Sequence, residues 1–115
     1  DNFKHCNDTY GHQTGDALLK EVGRLIRHQI RSVDEGFRYG GDEFAILLPG
    51  TAISDAVCLS ERLRAAFNSI ENFKTGISLG VASLEQGQDS KTLIEAADQA
   101  LYRAKAQGKD AVAQA

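Results

Sequence analysis

A Gly-Gly pair with two acids behind it, set between two short runs of strand formers, constrains this chain more than any other feature. The stretch reads Phe37-Arg38-Tyr39-Gly40-Gly41-Asp42-Glu43-Phe44-Ala45-Ile46-Leu47-Leu48. Phe37 and Tyr39 on one side, and Phe44, Ile46 and Leu48 on the other, favour extended backbone. Gly supplies the positive φ of a tight hairpin without steric cost. A plain hairpin does not need adjacent carboxylates at its tip, because they repel each other unless a cation or a proton is near. Two readings stand side by side: a solvated turn, where Asp and Gly collect, or a metal site beside a space for phosphates. A hard cation such as Mg²⁺ takes oxygen ligands, often one or two carboxylates plus substrate phosphates.

Around this hairpin the pattern gives helix, hairpin, helix, strand, helix. Residues 1–15 are polar and punctuated by Gly11 and Gly15; Phe3, Cys6 and Tyr10 recur at helical spacing, which predicts a short helix ending near Gly11. Asp16 opens a helix to Ile30, with Leu18, Leu19, Val22, Leu25, Ile26 and Ile30 on one face. Lys20, Arg24 and Arg27 face away. After the hairpin, Pro49-Gly50 ends the strand. A helix is expected from Ser54 to Phe67, with Ser54 and Asp55 as capping candidates. Lys74 to Ser83 alternates large apolar with small residues, a strand with one deeply buried face and one suited to close packing. Ser90 is placed to cap a last helix over Lys91–Gln107, whose inner face carries Leu93, Ile94, Ala97, Leu101 and Ala104. Gly108 suits its C-terminal end, and Ala111–Ala113 a short edge strand. Without the last helix this order is a ferredoxin-like βαββαβ unit lacking its first, central strand.

That gap matters for the fold class expected: an α/β (α+β) sandwich of the nucleotidyl-cyclase palm type, one domain over residues 1–115, cut short at its N-terminus. The chain starts at Asp1 and has no Met, so it reads as a piece of something longer. Loss of a central strand with about four apolar side chains would cost ~6–12 kcal/mol, comparable with a domain's stability of ~5–15 kcal/mol. The expectation is that residues 1–115 alone do not fold stably. The same ferredoxin-like order also predicts a strand-wide gap between the Phe44–Leu48 and Ile77–Ala82 strands. The formal charge of −3 argues against a nucleic-acid partner. Cys6 and Cys58 lie far apart without metal-ligand spacing, so reduced thiols and a cytoplasmic domain are expected. No apolar run approaches the ~20 residues of a membrane span, so any membrane attachment would come from regions outside this sequence.

Arg38-Tyr39-Gly40-Gly41-Asp42-Glu43-Phe44 resembles the signature of the GGDEF domains of diguanylate cyclases, and the flanks extend the resemblance over the whole chain. Asp1-Asn2-Phe3-Lys4, Asn7-Asp8-Thr9-Tyr10-Gly11-His12 and Gly15-Asp16 are similar to the stretch that opens such domains. The resemblance implies that backbone amides around Asn2, Phe3 and Lys4 cradle phosphates while Asn7 and Asp16 read guanine. A carboxylate can accept from guanine N1–H and the 2-amino group, and an amide offers donor and acceptor together. From the residues alone, Asn7 would be a helix-terminal residue and Asp16 a first-turn residue facing the helix dipole.

Ala97-Asp98-Gln99-Ala100-Leu101-Tyr102-Arg103-Ala104-Lys105-Ala106-Gln107-Gly108-Lys109-Asp110 is similar to the family's C-terminal motif. By that resemblance Lys105 and Lys109 face the β- and γ-phosphates, although the family often carries Arg-Asn where this chain has Lys109-Asp110. Lys binds phosphate as a point charge without the bidentate fork. Arg31-Ser32-Val33-Asp34 matches the family's R-x-x-D inhibitory site for cyclic di-GMP, with Arg62 as a further arginine. The implied activity is condensation of two GTP into cyclic di-GMP with release of pyrophosphate, in a homodimer. Asp42 and Glu43 would bind Mg²⁺ or Mn²⁺ and serve catalysis, with Gly40 and Gly41 leaving room for substrate. The alternative is a non-catalytic cyclic di-GMP receptor, against which the intact Gly40-Gly41-Asp42-Glu43-Phe44 string argues.

Overall fold

The computed structural model describes residues 12–69 and 76–115. In chain order its elements are α1 (His12–Gln29), β1 (Glu35–Gly40), β2 (Glu43–Leu47), α2 (Ile53–Asn68), β3 (Leu79–Val81), α3 (Ser90–Ala106) and β4 (Val112–Gln114). The expected helix before Gly11 lies outside the described residues. β1 and β2 form an antiparallel pair, from Glu35 opposite Leu47 to Gly40 opposite Glu43, with an irregularity between Arg38 and Gly40. β3 and β4 pair in parallel, Leu79 opposite Val112 and Val81 opposite Gln114. Among the described residues these are two separate two-stranded sheets. β2 and β3 are not bonded to each other, as the ferredoxin-like order requires of strands with another between them.

One apolar core nevertheless spans both pairs. Ile26 of α1 and Leu59 and Leu63 of α2 are buried against Phe44, Ile46 and Leu48 from the hairpin and Ile77 and Leu79 from the β3 side. Leu18 and Phe67 extend it, with Val22 and Leu25 alongside. The helical stripe read along α1 is thus the face that meets α2 and the strands. Side chains alternate along β3: Leu79 faces the α1–α2 layer, and Gly80 faces α3. A Cβ built on Gly80 would run into the backbone of Ala97 and Leu101. Ala100 and Ala104 of α3 are fully buried. The small residues of the strand therefore let α3 lie directly on the backbone, and helices cover β3 from both faces.

Four local expectations are corrected. α1 begins at His12, so Asp16 sits beyond its first turn, which carries no acid; Gly15 is helical and buried rather than a stop. α2 is capped by Ala52 without a side-chain bond, and neither Ser54 nor Asp55 caps it. The cap of α3 is Asp89 and not Ser90: its extended backbone lets the carboxylate accept from the Thr92 N–H at 2.9 Å. Ile94 is 43% exposed, and the buried face of α3 centres instead on Ala100 and Ala104.

Candidate functional site

The hairpin turns on two residues, Gly41 and Asp42, between the opposed Gly40 and Glu43. Gly41 has φ +52°, a conformation that disfavours any side chain. The Arg38 guanidinium donates through Nε to the Gly41 carbonyl at 2.8 Å, tying the tip to its own strand. Asp42 and Glu43 are exposed. Cβ atoms built on Gly40 or Gly41 would meet nothing within 4 Å, so a ligand can reach the backbone there. Among the described residues no cluster of three or more His, Cys, Asp or Glu side chains exists. Two adjacent carboxylates at an open tip are nevertheless a donor set suited to Mg²⁺, which keeps waters and takes phosphate oxygens rather than needing an all-protein cage. Mn²⁺ accepts the same oxygen ligands.

Beside the hairpin lies a cleft of about 250 Å³ lined by Asp16, Leu19 and Lys20 from α1 and Arg38 and Phe44 from the hairpin. Asp16 is thus brought to the flank of the Gly-Gly-Asp-Glu turn. Lys20, which the helix pattern alone turns to solvent, shares this cleft. Asn2, Phe3, Lys4 and Asn7 lie outside the described residues.

Lys105 is exposed in the last turn of α3, and the chain then reverses. Lys109 and Asp110 both have positive φ, +67° and +48°. The Lys109 N–H donates to the Ala104 carbonyl at 3.2 Å, which folds Lys109 back onto the helix end that carries Lys105. Asp110 is held from three sides. Its N–H donates to Ser78 Oγ at 3.1 Å, Asn68 Nδ2 donates to both carboxylate oxygens at 3.1 Å, and Arg64 lies 3.7 Å away. Asp tolerates the left-handed region better than most residues, and α2 supplies partners for its charge. Lys105 and Lys109 line neither of the two clefts.

A second cleft, of about 270 Å³, gathers Arg31, Asp34 and Arg62 with Gln29, Leu48, Gly50, Thr51, Asp55 and Leu59. Arg31 is a fork held on several sides. Nη2 donates to Asp34 Oδ1 at 2.8 Å, to the Pro49 carbonyl at 2.9 Å and to Thr51 Oγ1 at 2.8 Å, and Nε to Asp34 Oδ2 at 3.1 Å. The Arg31 backbone N–H also donates to Asp34 Oδ2, at 2.8 Å. The Asp34 side chain is only 2% exposed. The Arg31 side chain beside it holds its carboxyl below the ordinary Asp range, against the opposing effect of burial. Asp34 raises the Arg31 guanidinium in turn. Among the described residues Arg62 forms no ion pair. Sequence reading found Arg31, Asp34 and Arg62. It missed Thr51 and Asp55, which carry no local signal beyond following the Pro49-Gly50 strand end.

Helices over both faces of short strands, with an acid-tipped Gly hairpin at the edge of a cleft, define a domain of the palm-like nucleotidyl-cyclase class. The chain belongs to the GGDEF domain family: the family model described as diguanylate cyclase, GGDEF domain, matches residues 1–111. The chain is 46% identical over 113 residues to the diguanylate cyclase DgcS of Shewanella oneidensis, covering 96% of this chain and 38% of that protein. It is 37% identical over 121 residues to the response regulator PleD of Caulobacter vibrioides, covering 97% and 27%. Less than two fifths of these relatives' length is therefore spanned. The crystal structure of the coiled coil and GGDEF domain of DgcB from Caulobacter crescentus, in complex with c-di-GMP, matches with TM-score 0.91 at 33% identity over all of this chain and 65% of that one.

Proposed function

We propose that this domain condenses two molecules of GTP into cyclic di-GMP, releasing pyrophosphate, as the catalytic half-site of a homodimer. The observation that carries the reading is the pair of exposed carboxylates on a Gly turn with open space around its backbone. Asp42 and Glu43 hold the divalent cation, Mg²⁺ or Mn²⁺. When bound, it offsets phosphate charge and lowers the pKa of the attacking 3′-hydroxyl. The chain's own residues do the rest. Gly40 and Gly41 let the triphosphate approach the backbone. Asp16 accepts from the N1–H and 2-amino group of guanine, with Asn7 as its partner in reading the base and the backbone around Asn2, Phe3 and Lys4 as a phosphate cradle. Lys105 and Lys109, brought to one helix end, supply positive charge to the phosphates.

Product feedback falls to the Arg31 cleft. Arg31 and Arg62 face a common space with a surplus donor capacity that suits guanine and phosphate. Asp34 is already saturated by Arg31, so its first role is to hold that fork in place. A pure receptor for cyclic di-GMP would need this cleft but not the acid-tipped turn. Asp42→Ala in the complete protein separates the two: synthesis is lost while cyclic di-GMP still binds. Product is measured by chromatography and folding by circular dichroism. A rate within about tenfold of the parent, ~1.4 kcal/mol in barrier, contradicts the catalytic assignment.

A further inference from the structure

Asp16 and Lys20 are one helical turn apart on α1, a spacing that sets their Cβ atoms about 6 Å apart on the same face. Both line the cleft beside the hairpin together with Leu19, Arg38 and Phe44, the Arg38 Nε being engaged by the Gly41 carbonyl. A lysine or arginine on a helix can pair with an acid three or four residues away, and Arg24 does so here with Glu21. Asp16 and Lys20 could form the same kind of pair, yet among the described residues neither makes an ion pair with the other or with anything else. An acceptor-only carboxylate and a donor-only ammonium thus stand side by side at the wall of a cleft with room for one planar base. The Watson–Crick edge of guanine presents the complementary order: two donors, N1–H and the 2-amino group, followed by the O6 acceptor.

We propose that Lys20 is a specificity-determining residue of this cleft, its ammonium donating to guanine O6 while Asp16 accepts from N1–H and the 2-amino group. The inference rests on the reading of the cleft as the guanine site and adds to it the group that reads the sixth position. Adenine carries a 6-amino donor there, which would face the ammonium donor to donor and leave both unpaired. A purine is then discriminated by two residues of one helix turn, and the discrimination does not depend on the dimer or on the bound cation.

The test measures kcat/KM of the complete protein for three triphosphates. GTP presents the full edge; inosine triphosphate lacks only the 2-amino group; 6-thio-GTP replaces O6 by sulfur, a poorer acceptor. Lys20→Ala is an exposed helical substitution to the best helix former, so the fold is retained. It should lower kcat/KM for GTP by about tenfold, ~1.4 kcal/mol, through KM rather than kcat. The preference for GTP over 6-thio-GTP should collapse, and that over inosine triphosphate should persist. Lys20→Arg should restore the first preference. Asp16→Asn should show the mirror image, losing the preference over inosine triphosphate. If Lys20→Ala keeps both preferences and the parent KM while Asp16→Asn behaves as stated, Lys20 is a solvated helix residue and the inference is overturned. If neither variant alters either preference, the guanine reading of the cleft falls with it.

Discussion

The hairpin tip and the Arg31 cleft put acids to opposite uses. At the tip, Asp42 and Glu43 stand exposed on a two-residue turn, and a side-chain bond from Arg38 to the Gly41 carbonyl fixes the turn. In the cleft, Asp34 is buried and both its carboxylate oxygens accept from Arg31, whose fork is in turn held by Pro49 and Thr51. A buried carboxylate with its counter-charge in place is a structural part, ready-made before any ligand arrives. Exposed paired acids gain little from the protein itself and are suited to an incoming cation. The difference teaches that a carboxylate held by the protein, just before β1, and carboxylates left open to a ligand, at the β1–β2 turn, lie close in sequence yet differ in surroundings; mutations should separate stability from the proposed chemistry.

The widest separation is expected at the tip. Asp42→Ala should reduce turnover by about a thousandfold, the scale of losing a charge-offsetting metal ligand, with a Tm matching the parent. A drop in Tm alongside the rate would show that the tip also carries stability. Asp34→Ala should do the reverse, lowering Tm by several degrees while initial rates persist, because it strands the Arg31 fork beside a buried void.

The same contrast has a pH signature. The folded-state pKa of Asp34 is depressed, so its contribution is fully present above the ordinary Asp pKa of about 4 and is lost as pH falls below that through the folded value. Tm followed from pH 6 downward should therefore fall more steeply in the parent than in Asp34→Asn below about pH 4. Parallel curves would mean that the pair contributes no linkage.

Smaller effects should sharpen the picture of the cleft. Arg31→Ala should weaken cyclic di-GMP binding by tenfold or so, about 1.4 kcal/mol, and relieve product inhibition with initial rates nearly unchanged; isothermal titration reads the first and progress curves the second. Unaltered affinity would reduce the cleft to a surface feature. Thr51→Val removes the hydrogen bond that the hydroxyl accepts from Arg31, worth about 1 kcal/mol, and the one it donates to the Pro49 carbonyl, and should raise the Kd only a few-fold.

Much of this molecule was legible in its sequence, for a shared physical reason. The apolar stripe of α1, the Gly41 turn and the alternation of Leu79 with Gly80 are local patterns, each enforced by helix period, positive φ or strand pleat, and each stands where it was expected. Arg31 and Asp34, three residues apart, do meet, and Asp42 and Glu43 stand exposed at the turn. Caps were less legible. Asp89 outcompetes Ser90 through a backbone angle that neighbouring residues do not announce, and α1 runs through Gly15 because its buried face meets the rest of the core. Only the tertiary structure decided which distant groups share a space. Arg62 comes to Arg31 because α2 packs on α1, Thr51 because the chain after β2 crosses the end of that helix, and Lys20 to Phe44 because the hairpin leans on the same helix. Local propensity carries no record of these meetings; they follow from burying Ile26, Leu59 and Leu63 in one core.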